Sequence, residues 1–130
     1  KAVLACGAFS KKFTDQAGEK IPLDTERGYH IHFKDQDHLL SRPVIFLNRG
    51  FGITPMEQGL RVVGTVEFGG LDNPPSKKRI LNLANNARYL FPELTEHYDE
   101  WLGFRPTLPD YLPIIGPSKK YQNFTMKNHT

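Results

Sequence analysis

The chain has 130 residues, of which 38% are hydrophobic and 24% charged, a composition typical of one folded soluble domain. It contains no apolar run of the roughly 20 residues that a membrane-spanning helix needs, and the run at residues 1–6 is too short for a signal peptide. The net charge of +3 comes from scattered basic residues, which argues against a nucleic-acid-binding protein.

Cys6 is the only cysteine in the sequence. An intramolecular disulfide is therefore impossible, and a cysteine-based zinc site is disfavoured. Such a chain suits a reducing compartment, so we expect a cytoplasmic protein. Because the sequence has no initiator Met and opens directly in an apolar run, we also expect that it begins inside a longer protein.

The start of the chain predicts one strand and one short helix. Residues 1–6 form an apolar run of the kind found in buried strands, so Cys6 is expected to be buried and inert. Residues 9–17 predict a short helix, because Phe9 and Phe13 have the spacing that places two side chains on one helical face.

Residues 28–34 alternate between two kinds of side chain. Tyr29 and the apolar residues two and four positions later share one face, whereas His30 and His32 lie on the other. This is the pattern of a half-buried strand. The two histidines could pair as metal ligands, but no third ligand is evident nearby, and a solvent-facing pair is the favoured interpretation. We therefore predict no metal site.

The middle of the chain predicts three further strands. Residues 44–47 are largely β-branched and aromatic, as strands often are. Residues 51–56 and 60–68 predict a hairpin, because two extended segments flank a short polar turn that closes with Gly59.

The second half of the chain predicts one main helix. Apolar residues recur at helical spacing over residues 76–91, with Ser76 at the N-cap position. Residues 100–105 and 124–126 predict strands, whereas the prolines of residues 106–117 predict an irregular stretch. Together these elements predict an α+β fold with an antiparallel-rich sheet.

Arg105 is the residue with the clearest chemistry. It lies between an aromatic segment and a proline-rich loop, where its side chain would have little freedom left to lose on binding. A guanidinium group binds a carboxylate through two parallel, charge-assisted hydrogen bonds. A carboxylate ligand and a structural ion pair with an acid such as Asp110 both remain open interpretations.

The residues around Arg105 resemble a known family. Three motifs are similar to the late substrate-domain motif of the FAD-dependent D-amino-acid oxidase and glycine oxidase superfamily, namely Gly103-Phe104-Arg105-Pro106, Pro109-Asp110 and Pro113-Ile114-Ile115-Gly116-Pro117. Weaker matches follow in the order that the family has them, at residues 3–10, 21–29 and 52–67. Within the superfamily, the chain is most similar to the small subunit of bacterial D-amino-acid dehydrogenases.

The resemblance implies a substrate-binding domain inserted into a larger flavin-binding domain, and the oxidative deamination of a D-amino acid by hydride transfer to FAD. It implies that Arg105 binds the substrate carboxylate. Arg27 is a second candidate substrate contact, although a surface arginine is the favoured interpretation. Tyr29 would line the pocket, although an aromatic residue on an alternating strand is more often part of the core. No residue is assigned as catalytic, because the cofactor carries the chemistry.

The resemblance also divides the chain into parts. Residues 1–10 would belong to the flavin-binding domain, residues 11–117 to the substrate-binding domain, and residues 118–130 to the return into the flavin-binding domain. Flavin contacts are implied at Gly7 and Gly116. Because the family's Gly-x-Gly-x-x-Gly turn and its later glycine-rich flavin contact are missing from the sequence, we expect that this chain alone neither retains FAD nor turns over.

The partners that the resemblance implies are a D-amino acid, the flavin-binding domain of the same protein, and a quinone or another carrier as electron acceptor, with the protein peripheral at the inner face of the membrane. A piece separated from its flavin-binding domain exposes apolar surface, so we expect it to self-associate. Two alternatives remain open, a glycine or sarcosine oxidase relative and a non-catalytic binding domain.

Overall fold

The computed structural model describes residues 1–94 and 97–128, with side chains described as far as Lys127. The strands are β1 (Ala2–Leu4), β2 (Asp24–Lys34), β3 (Val44–Phe46), β4 (Phe51–Met56), β5 (Gly59–Phe68), β6 (Asp99–Thr107), β7 (Ile114–Pro117) and β8 (Phe124–Asn128). The α-helices are α1 (Ser10–Gln16) and α2 (Lys77–Leu90), and short 3-10 turns lie at Gly7–Phe9, Asp37–Leu39 and Leu47–Arg49. The predicted α+β class is confirmed.

The chain divides into two compact units. Unit 1 consists of Lys1–Arg27, Glu67–Asn73 and Phe104–Thr130, and unit 2 consists of Gly28–Val66 and Pro74–Gly103. The assignment of residues 1–10 and 118–130 to a flavin-binding domain, and of residues 11–117 to a substrate-binding domain, stays a prediction. The last two residues of the chain lie outside the described residues.

Unit 1 contains a three-stranded sheet in the order β1-β8-β7. Strand β1 runs parallel to β8, with Leu4 opposite Met126, and β7 runs antiparallel to β8, with Gly116 opposite the same methionine. Leu4 and Met126 are both buried. Because β7 is an edge strand of this sheet, the backbone of Gly116 has a strand neighbour on one side only.

Two predictions about burial near the N-terminus are wrong. Val3 is 65% exposed and Cys6 is exposed. Strand β1 ends at Leu4, which is its only buried residue. The predicted helix is present, but its buried residues are Ser10 and Thr14 instead of the two phenylalanines. Ser10 Oγ accepts a hydrogen bond from the Cys6 amide at 3.1 Å, which satisfies a polar group that burial would otherwise penalise.

Most residues of the five-stranded sheet, which has the order β3-β4-β5-β2-β6, belong to unit 2. The predicted hairpin is confirmed: β4 and β5 pair antiparallel with Met56 opposite Gly59, so a two-residue turn joins them. Gly59 has a φ of +134°, and a Cβ atom there would meet the backbone of Phe33 and Asp35. Only glycine suits this position.

Helix α2 packs on one face of this sheet, as its spacing predicted. The core of unit 2 consists of buried aliphatic and aromatic side chains, namely Tyr29, Ile31, Phe33, Phe51, Ile53, Leu60, Val62, Ile80, Leu83, Ala84, Ala87 and Leu94. The predicted alternation of β2 is thereby confirmed. A Cβ atom at Gly64 would lie 3.1 Å from Leu83 Cδ2, which shows how closely the helix approaches β5.

The prediction that residues 106–117 are irregular is wrong at both ends. Strand β6 continues through Pro106 to Thr107, and β7 occupies Ile114–Pro117. Both strands lie at the edge of their sheets. Proline lacks an N–H group to donate, and an edge strand tolerates this because one side of it has no strand partner. Among the described residues, no helix is long and apolar enough to cross a membrane.

We expect Leu83→Ala to destabilise unit 2 by about 2–5 kcal/mol, because it removes a fully buried side chain and leaves a cavity between helix and sheet. Leu81→Ala is the matched control on the same helix, since Leu81 is 53% exposed, and it should change stability by less than about 0.5 kcal/mol. Chemical denaturation of both variants measures the difference. Equal effects would contradict the packing described.

Candidate functional site

Arg105 lies on strand β6 and its side chain is exposed. Among the described residues, no hydrogen bond or ion pair of this side chain is found. Asp110 is engaged elsewhere, since its Oδ1 accepts a hydrogen bond from the Leu112 amide at 3.1 Å. The structure therefore does not pair Arg105 with Asp110, and the guanidinium group is available to an external anion.

Arg27 is buried at the start of β2, with only 1% of its surface exposed. Its Nη1 donates a hydrogen bond to the Gly69 carbonyl oxygen at 3.3 Å, and its Nε lies 3.8 Å from Glu67 Oε2. The interpretation of Arg27 as a surface arginine is therefore wrong, because the side chain is buried, and these internal partners offset part of the cost of its burial. Its role as a substrate contact stays a prediction.

An aromatic pair lies beside this buried cation. The Arg27 guanidinium carbon is 6.0 Å from the centre of the Phe104 ring, within reach of a cation–π attraction. The Phe104 ring in turn meets Phe9 edge to face at 5.8 Å, a favourable aromatic geometry. The sequence offered no signal for these contacts, because Glu67 and Phe104 are far from Arg27 along the chain.

Tyr29 is a core residue of unit 2, with 3% of its surface exposed. Its hydroxyl oxygen accepts a hydrogen bond from the Ser76 amide at 3.0 Å, at the N-terminus of α2. Ser76 stands at the predicted N-cap position but makes no side-chain capping bond. This hydrogen bond satisfies the hydroxyl group of the buried Tyr29 side chain. A place for Tyr29 in a ligand pocket stays a prediction.

The two glycines expected to contact a flavin both leave space beside the backbone. Gly7 has a φ of +53°, and among the described residues no heavy atom lies within 4 Å of the position that a Cβ atom would take there or at Gly116. A flat ring could approach both positions closely. Gly116 also lines a cavity of about 480 Å³ in unit 1, together with Glu19, Ile115 and Met126.

Glu19 holds the turn that follows β7. Its Oε1 accepts hydrogen bonds from the amides of Lys119 at 2.6 Å and Lys120 at 3.2 Å. Burial raises the pKa of the Glu19 carboxyl group, but hydrogen bonds from Ser118 and these two amides outweigh that effect and lower the pKa below its ordinary 4.5. The ionised carboxylate is thus the form that this turn favours.

A second cluster, in unit 2, lies on strands β2 and β6. The rings of His30 and Trp101 stack with centres 4.6 Å apart, and the Trp101 ring covers Gly103, where a Cβ atom would collide with it. Burial, then the charges of Arg61 and His32, lower the pKa of His30 below 6.5. Among the described residues, no group of three or more potential ligands could hold a metal ion.

We expect Arg61→Gln to raise the pKa of His30, because the substitution removes a positive charge that disfavours the imidazolium form. NMR titration of the His30 ring protons measures this shift directly. Arg42→Gln is the control, since it removes an exposed arginine that does not act on His30. The same titration curve in both variants would contradict the assigned cause.

We expect Glu19→Gln to weaken the turn at Lys119 and Lys120. Because the folded-state pKa of Glu19 is lowered, its ionised form stabilises the folded state above the unfolded pKa, and this contribution is lost as the pH falls through the folded pKa. Amide hydrogen exchange should show lower protection at both lysines in the variant at neutral pH, with the difference shrinking in acid. Glu57→Gln, at an exposed turn position, should leave their protection unchanged.

Comparisons with known proteins find relatives among amino-acid oxidases and dehydrogenases. The chain is 35% identical over 123 residues to a D-amino-acid oxidase of Bradyrhizobium diazoefficiens, a match that covers 91% of this chain and 29% of that protein. It is 32% identical over 125 residues to a D-amino acid dehydrogenase of Granulibacter bethesdensis, covering 93% of this chain and 30% of that protein. The chain thus spans about three tenths of the length of these curated relatives.

The fold is similar to the crystal structure of a glycine oxidase from Geobacillus kaustophilus, with a TM-score of 0.74 at 23% sequence identity. That likeness covers 98% of this chain and 35% of the solved one. The sequence profile of the DAO family, described as FAD dependent oxidoreductase, matches residues 1–129. Because this match runs from the first residue to the last but one, the chain belongs to the DAO family of FAD-dependent oxidoreductases.

Proposed function

We propose that the chain supplies the substrate-binding part of a flavoprotein that oxidatively deaminates D-amino acids, and that Arg105 binds the substrate carboxylate. The observation that carries this proposal is the state of Arg105, which is exposed and, among the described residues, has no internal ion pair. Membership of an FAD-dependent family and a D-amino-acid oxidase as a relative support it.

The position of Arg105 suits a carboxylate ligand. Its backbone belongs to a nine-residue strand, so the side chain starts from a fixed point, and the following Pro106 restricts the chain further. Two parallel hydrogen bonds from the planar guanidinium group would orient a carboxylate as well as hold it. Such orientation aligns the Cα–H bond of an amino acid for reaction.

The residues of this chain fit only part of the cofactor. FAD, when bound, accepts the hydride that leaves the substrate Cα. Open space at Gly7 and Gly116 suits contacts with a flat ring, but the sequence contains no Gly-x-Gly-x-x-Gly turn for the pyrophosphate. We therefore propose that the chain alone does not retain FAD, and that its contribution is to bind and orient the substrate.

Two features of the activity need separate tests. Glycine or sarcosine is the competing substrate, since a glycine oxidase shares the fold. Comparing the turnover rates of glycine and sarcosine with that of D-alanine distinguishes a glycine or sarcosine oxidase from an enzyme for D-amino acids.

For the electron acceptor we propose a quinone or another carrier, with the protein in the cytoplasm or at the inner face of the membrane. Reduction of an artificial dye in the absence of oxygen tests the acceptor. A non-catalytic binding domain predicts no substrate-dependent reduction of any acceptor.

Val3 and Ile115 are 65% and 60% exposed, which leaves apolar side chains of the unit 1 sheet in contact with water. We propose that the isolated chain self-associates through such surface. The corresponding partner in the longer protein is its own flavin-binding domain.

In the full-length, flavin-loaded protein, we expect Arg105→Ala to raise the KM for D-alanine by roughly 30- to 700-fold, because loss of a charged, two-point contact costs about 2–4 kcal/mol. Folding should be little affected, since the side chain is exposed. Arg42→Ala, at another exposed arginine, is the matched control and should leave the KM unchanged. Steady-state kinetics measure both variants, and an unaltered KM in Arg105→Ala would count against the carboxylate role.

A further inference from the structure

A fully buried guanidinium group is energetically costly, and Arg27 is 1% exposed. Its compensating contacts come from two separate segments of unit 1. Glu67 and Gly69 follow each other closely along the chain and supply a carboxylate at 3.8 Å and a carbonyl oxygen at 3.3 Å. Phe104 of β6 supplies an aromatic face at 6.0 Å. The cation thus holds the start of β2, residues 67–69 and β6 together.

The contact with Phe104 bears on its neighbour in the chain. Phe104 is half-buried between Arg27 and Phe9, whereas Arg105 is exposed. Successive side chains of a strand point to opposite faces. Holding the Phe104 ring on one face therefore fixes the backbone from which Arg105 projects on the other.

We propose that Arg27, assisted by Glu67, is a positioning residue that sets the direction of Arg105 through Phe104 and does not itself touch the substrate. The inference rests on the proposed function of Arg105. A long exposed side chain loses conformational freedom when it binds, and a fixed starting backbone reduces that loss. The charged group provides direction that apolar packing lacks, because its hydrogen bond to the Gly69 carbonyl oxygen constrains the guanidinium plane.

The test is a double-mutant cycle in the full-length, flavin-loaded protein, with Arg27→Met, Arg105→Ala and the double variant. We expect Arg27→Met alone to raise the KM for D-alanine by about tenfold while kcat changes by less than about twofold. In the Arg105→Ala background the same substitution should have no further effect on the KM. Arg27→Lys keeps the charge but loses the planar fork, and it should restore only part of the affinity.

The outcomes separate this inference from the proposed function. If Arg27→Met raises the KM equally in both backgrounds, Arg27 does not act through Arg105 and the positioning role is overturned, while the role of Arg105 stands. If Arg105→Ala leaves the KM unchanged, both proposals fall.

Two further variants keep the test decisive. Should Arg27→Met fail to retain FAD, the same cycle is measured with Glu67→Gln, which removes one partner of the cation and keeps its size; additivity there overturns the inference equally. Arg88→Met is the matched control, because Arg88 also lies over an aromatic ring, that of Tyr98 at 5.7 Å, but in unit 2. It should leave the KM unchanged, and a tenfold rise would overturn the specific role of Arg27.

Discussion

The burial of one guanidinium group, that of Arg27, constrains the packing of unit 1. Removing the charge of Arg27 from water costs on the order of several kcal/mol, and a folded protein can bear this only if its partners stay in place. Glu67, Gly69 and Phe104 are those partners, and they belong to segments that are distant along the chain. Loss of their arrangement would leave the cation buried without partners, so the start of β2, residues 67–69 at the end of β5 and Phe104 of β6 keep their mutual positions in folded unit 1.

Strand β6 links this constraint to the proposed chemistry. It lies at the edge of its sheet, which explains how it can contain Pro106 without losing a ladder hydrogen bond. An edge position also leaves Arg105 without a strand neighbour on one side, and the side chain is exposed. The strand is therefore held where Phe104 packs, while the Arg105 side chain itself is exposed. A rigid support with an accessible charged group is what carboxylate recognition requires.

Local periodicity predicted the elements that pack through their own side chains. Helix α2, the alternation of β2 and the β4–β5 hairpin follow from apolar spacing of 3.6 or 2 residues and from Gly59, and all are confirmed. Prediction failed where a neighbour decides the outcome. Residues 114–117 of the proline-rich stretch form β7, which an edge strand permits because it needs pairing on one side only. Phe13 is half-exposed because small polar residues occupy the inner face of α1. The Arg105 motif was found by resemblance, whereas the burial of Arg27 depends on Glu67, 40 positions away, and leaves no local signal.

The two arginines show that residue type does not decide whether a charge binds a ligand or supports the fold. Arg27 and Arg105 carry the same group, but Arg27 has a carboxylate, a carbonyl oxygen and a ring within the protein, so an incoming anion would have to compete with partners already in place. Arg105 has no such competitors among the described residues. A substrate carboxylate would need to displace no internal acid from this cation. The difference in partners, which depends on the distant segment at residues 67–69, is the reason why Arg105 and not Arg27 is the arginine that we propose to bind substrate.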